Sequence, residues 1–114
     1  MPGVIKETAT EQSSFKITAT FYDESGNAVA PATMLWTLTD DEGTSVINSR
    51  EDVAIVTPTS TESILLEGDD LAVDGNAKTR RKITFQGTYT SAEFGAGLPL
   101  KDEATFFIIP ITII

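Results

Sequence analysis

The chain of 114 residues contains no cysteine and no histidine. Without cysteine there is no disulfide to staple the fold and no thiolate to hold a metal. Without histidine the commonest general base and the commonest transition-metal ligand are missing. Ser-His-Asp and Cys-His nucleophile arrangements are therefore excluded within this chain. Basic residues are scarce as well: 8 Lys and Arg against 17 Asp and Glu leave a formal charge of −9. Such a surface repels phosphate backbones, so nucleic acid is not an expected partner. No apolar run reaches the ~20 residues that a bilayer-crossing helix needs. The opening MPGVIKETATEQSS has no apolar signal-peptide core. Neither a membrane nor a cofactor is therefore expected, and enzymatic activity is not expected either.

What is present is enough apolar content, 40%, for the core of one domain. It is arranged with a period of two. In FKITATFY, Phe15, Ile17, Ala19 and Phe21 face one way, and Lys16, Thr18, Thr20 and Tyr22 the other. TMLWTLT places Met34, Trp36 and Leu38 on one face. RKITFQGTY alternates Ile83, Phe85, Gly87 and Tyr89 against Lys82, Thr84, Gln86 and Thr88. Shorter pieces, TSVIN, VAIVT and SILLE, read as further strands. DESGN and DDEG read as turns, and GDDLAVDGNA as a connection with room for one helical turn. SAEFGAGLP reads as a Gly-rich loop, with the last strand starting near Asp102.

Seven or eight short strands with turns between them, and no segment of helical period, predict an all-β fold. The expected form is an antiparallel Ig-like or fibronectin-like β-sandwich of about seven strands. A small barrel is the alternative. The expected division is a polar N-terminal arm over 1–13, the sandwich over 14–109, and an apolar extension over 110–114.

Trp36 suits a core aromatic better than a ligand platform. The carboxylates Asp23-Glu24, Asp40-Asp41-Glu42, Asp69-Asp70 and Asp74 fall in turns, and none has the spacing of an EF-hand loop. Solvated turns are the simpler reading, and a paired-carboxylate hydrolase lacks any other catalytic group. KTRRK gathers half of the basic residues of the chain: Lys78, Arg80, Arg81 and Lys82. It reads either as a docking patch for an acidic partner surface or as a charged sheet edge. Phe94 and Leu98 are expected to fold back on the core. Tyr22 is a candidate for stacking on a sugar, while Tyr89 faces inward.

The chain ends FFIIPITII. Phe106 and Ile108 fall on one strand face, and Phe107, Ile109, Ile111 and Ile113 on the other. One apolar face serves the core, so the second needs cover from elsewhere. Four such side chains contribute roughly 6–12 kcal/mol when buried, at about 1.5–3 each. Phe107, Ile109, Ile111, Ile113 and Ile114 are thus the expected assembly interface. Its partner is either another subunit or the end of the same sandwich. Pro110, lacking an N–H, is expected to end the strand.

WTLTDDEGTSVINSRED, ILLEGDDLAV and ITFQGTYTSAEFGAGLPLKDEATFFI resemble small Ig-like proteins from the structural gene clusters of tailed bacteriophages. FYDESGNAVAPATMLWTLTD is similar to the Ig-like module that opens some phage baseplate proteins. The resemblance spans about residues 14 to 109 and rests on strand and turn punctuation. It implies a non-enzymatic virion part: a neck or tail component, a capsid decoration or a baseplate piece. Its partners would be other virion proteins or itself as a homo-oligomer. It would be made in the bacterial host cytoplasm. The resemblance carries no active site. An Ig-like surface- or carbohydrate-binding module is the alternative. The Tyr and Cys of an antibody-type E–F corner are absent near Asp74–Ala77, so no tyrosine corner is expected.

Overall fold

The computed structural model describes residues 2–4, 8–73, 75 and 77–111. Among these residues eight strands run in chain order: β1 (Pro2–Val4), β2 (Ala9–Thr10), β3 (Ser14–Thr20), β4 (Thr33–Asp40), β5 (Val53–Ala54), β6 (Thr61–Glu67), β7 (Thr79–Ser91) and β8 (Gly95–Ile109). The larger sheet has the order β1-β8-β7-β4-β5, with β2 also pairing β8. The second sheet is the antiparallel pair β3-β6. The chain is all-β, and the only helical element among the described residues is a 3₁₀ turn, Gly68–Leu71.

The larger sheet is mixed rather than purely antiparallel. Both N-terminal strands run parallel to β8, with Gly3 opposite Ala104 and Ala9 opposite Ile108. Pro2–Val4 and Ala9–Thr10, within the segment expected as a polar arm, are therefore strands of this sheet. The reason lies in β8, whose outer edge would otherwise expose a row of backbone groups. Ala9 is buried by this pairing. Between Gly95 and Asp102 that edge has no strand beyond it among the described residues, and Pro99 removes one of its donors.

Alternation places the core. Ile17, Ile64 and Leu66 of the small sheet meet Met34, Trp36, Leu38, Ile83, Phe85, Phe106 and Ile108 of the large one. Two aromatic pairs pin the layers together. Phe15 stacks on Phe106 at 5.3 Å between centroids, and Phe21 meets Phe85 edge-on at 5.6 Å. Trp36 is a core residue. Gly87 marks the closest approach of two strands: a Cβ there would lie 2.0 Å from the Thr33 carbonyl oxygen.

Several short elements are slighter than the sequence suggests. TSVIN forms a single bridge, Thr39 to Val46, and VAIVT only the two residues of β5. The opposite holds for β8. It begins at Gly95, not near Asp102, because Gly95 and Gly97 adopt positive φ inside the strand rather than breaking it. The β7–β8 hairpin thus outruns β4, whose last pair with it is Thr33–Thr88. It gives the molecule its length, 56 Å against 24 and 23 Å.

Candidate assembly interface

The two surface groups singled out in the sequence meet at the lower end of this hairpin. The register sets Arg80 opposite Phe107, Arg81 opposite Phe106 and Lys82 opposite Thr105. Alternation turns Arg80 and Lys82 to the outer face together with Phe107. Lys78 Nζ lies 4.4 Å from the Phe107 ring centroid, and the Arg80 guanidinium carbon 5.6 Å from it. The negative π-face of the ring draws both cations.

Each cation then has its own surroundings. Arg80 Nε pairs with Asp41 at 3.2 Å, and its Nη2 donates to Thr105 Oγ1 at 3.4 Å. Lys82 pairs with Glu103 at 3.7 Å. Arg81 faces inward and is buried, donating to the Ala72 and Arg80 carbonyls at 3.3 and 3.4 Å. Arg81 and Lys82 lie on β7 where it pairs with both β8 and β4, so they are not a sheet edge, while Lys78 precedes the strand. Beside it the Asp40-Asp41-Glu42 turn and Ala77–Arg81 enclose an open cleft of about 420 Å³. The turn is held by Asp40, whose carboxylate accepts from the Thr44 hydroxyl and N–H at 2.7 and 2.8 Å. These bonds, the hydroxyl first, hold the Asp40 carboxyl below its ordinary range.

Further along the same face, Ile109 is 44% exposed, and beyond the strand Ile111 is 48% exposed. Phe107 is half-buried. The strand ends at Ile109, before Pro110. The Ile111 N–H donates to Glu11 Oε1 at 3.0 Å, fixing the chain just past the proline. Ile113 and Ile114 lie outside the described residues, as does Asp74. Phe106 and Ile108, on the opposite face, are fully buried. The lower end therefore carries an apolar strip of Phe107 and Ile109 flanked by Lys78 and Arg80, with exposed Ile111 just past the end of the strand.

The remaining candidates lie apart from it. Asp70 is fully buried and accepts from Arg50 Nε at 2.8 Å, Arg50 Nη2 at 3.2 Å, Asn48 Nδ2 at 2.8 Å and the Glu67 N–H at 3.1 Å. Burial pushes its carboxyl up, but the bonds from Arg50, Asn48 and Glu67 outweigh this and hold it below the ordinary value. That cluster ties the 3₁₀ turn to the β4–β5 connection. Among the described residues no three carboxylates converge as a metal site would require. Tyr89 faces inward, and its hydroxyl donates to Glu24 Oε1 at 2.8 Å. Leu98 is half-buried, but Phe94 is 62% exposed at the hairpin tip instead of folding back. The turn between Ser91 and Gly95 is too short to return it to the core.

Comparison of this chain with family models, characterised proteins and solved structures returns no match.

Proposed function

We propose that this chain is a non-enzymatic structural subunit that works by protein–protein assembly. The setting implied by its resemblance is a tailed-phage virion, as a neck or tail, capsid-decoration or baseplate component. An Ig-like form of the sandwich belongs to the same proposal. It is supported by the pairing β3-β6 in one sheet, β4-β7-β8 in the other, and the buried Trp36 on β4.

The observation that carries the proposal is the apolar strip of Phe107 and Ile109 beside Lys78 and Arg80, with Ile111 exposed just past it. An apolar surface with charged neighbours on an otherwise acidic molecule suits a partner that is itself apolar and acidic. Magnitudes limit what it does alone. Ile109 and Ile111 are already about half covered, so each has only about 1 kcal/mol left to gain. Association opposes this with at least about 4 kcal/mol of lost freedom. A lasting contact therefore also uses Phe107, the cations and a second surface. Sedimentation of the full chain against an Ile109→Ser, Ile111→Ser variant tests this: the native chain assembles, alone or with particle proteins, and the variant does not.

A second reading has one observation in its favour. Tyr22 is 54% exposed and, with Thr20, Phe21, Leu100, Lys101 and Asp102, lines a hollow of about 250 Å³. An aromatic face beside a carboxylate and an ammonium group suits a sugar ring. Glycan binding abolished by Tyr22→Ala supports this reading, and an array without hits removes it.

A further inference from the structure

The upper end of the hairpin is as organised as the lower end. Ser91 Oγ accepts the N–H groups of Glu93 and Phe94, both at 3.1 Å, and donates to Glu24 Oε2 at 3.0 Å. Tyr89 holds the other oxygen of the same carboxylate. The irregular register between Tyr89 and Ser91 twists the strand where this occurs. The tip is thus fixed from the side by the Glu24 turn, and it presents Phe94 to solvent. An exposed aromatic ring on a preorganised turn loses little freedom on binding, as a good anchor should. The charges around it are of one sign: Asp23, Glu24 and Glu93, with no basic residue between Ile83 and Leu100.

The two ends of the hairpin are complementary. One offers a ring beside a carboxylate, Phe94 next to Glu93. The other offers an apolar strip beside cations, Phe107 and Ile109 next to Lys78 and to Arg80, the latter paired with Asp41. A strand of 13 residues holds them roughly 40 Å apart at about 3.3 Å per residue, so one molecule cannot join its own ends. We infer that the occupant of the lower strip is the hairpin tip of a second copy of this chain, giving head-to-tail contacts. Phe94 packs against Phe107 and Ile109, and Glu93 pairs with Lys78. A heterologous contact of this kind leaves one tip and one strip open on every pair, so it propagates to a ring or a filament. The inference rests on the assembly reading and names its partner.

Two variants test it. The tip variant carries Glu93→Gln and Phe94→Ala, and the strip variant carries Lys78→Gln and Ile109→Ser. Circular dichroism and thermal melting confirm that each folds. The native chain is expected to grow in mass with concentration, and more weakly as salt is added. Each variant alone is expected to stay monomeric. An equimolar mixture is expected to give a dimer and nothing larger, because the intact tip of the strip variant meets the intact strip of the tip variant. A folded tip variant that assembles like the native chain overturns the inference and leaves the assembly reading standing. So does a mixture that remains monomeric while the native chain assembles. A native chain that stays monomeric and binds no particle protein overturns both.

Discussion

Lys78 Nζ stands 4.4 Å above the centre of the Phe107 ring, one residue outside the strand that pairs with it. The contact joins a cation from the basic segment to a ring from the apolar terminus. It turns two separate features of the chain into one surface.

Phe107→Leu is expected to keep the strip apolar but remove the π-face. The loss in fold stability is about 0.5–1 kcal/mol, the size of an exposed cation–π contact. Chemical denaturation measures it. The effect on assembly should exceed the effect on folding, because Lys78 and Arg80 lose the group that positions them.

Glu24 holds the hairpin tip through its carboxylate. Its own backbone hydrogen bonding, then the Tyr89 hydroxyl and Ser91, keep its carboxyl below the ordinary value. The tip should therefore hold together above the usual Glu range and loosen only as pH falls through this lowered value. Amide chemical shifts of Glu93 and Phe94 report the transition, which should be absent in Glu24→Gln. The same carboxylate raises the Tyr89 pKa, chiefly through the hydrogen bond. In Glu24→Gln the Tyr89 phenol should ionise at lower pH, visible by ultraviolet titration.

Asp70→Ala removes four hydrogen bonds at a fully buried position. Arg50 stays partly open to water, so the loss lies at the low end for a broken buried pair, about 3 kcal/mol. The carboxyl is held below its unfolded value, so its stabilisation is present above about pH 4. It is lost as pH falls further, through the folded value. Native stability should therefore drop below about pH 4, and the Asp70→Ala curve should be flatter there.

Gly87→Ala places a methyl group against the Thr33 carbonyl, where it would lie 2.0 Å away. β4 and β7 must move apart, at about 1–3 kcal/mol for overpacking.

Much of the fold is legible in the chain because alternation is local. Phe15 to Phe21, Met34 to Leu38 and Ile83 to Tyr89 declare their buried faces, and the structure places them in the core apart from the partly covered Phe15, Ala19 and Gly87. Pairing between distant segments is not local. Nothing in MPGV or in Ala9-Thr10 announces a parallel partner in β8. Glycine misleads at Gly95 and Gly97, where positive φ ordinarily signals a turn but here lies inside a strand. The Asp70–Arg50 pair spans 20 residues and has no spacing signature. Phe94 could be placed only by the length of the hairpin turn, which depends on where β8 begins. The convergence of Lys78 and Arg80 on Phe107 follows from the strand register. Neither the basic nor the apolar segment encodes that register by itself.

Light scattering on a sizing column should compare the full chain with a version ending at Ile109. The shorter chain lacks Ile111 and the rest of the apolar terminus but keeps every strand among the described residues. The assembly proposal predicts an oligomer, or a complex with particle proteins, for the full chain and measurably weaker association for the shortened one, which keeps Phe107 and Ile109 but lacks Ile111. Two stable monomers of matching behaviour, neither binding a particle protein, would contradict it.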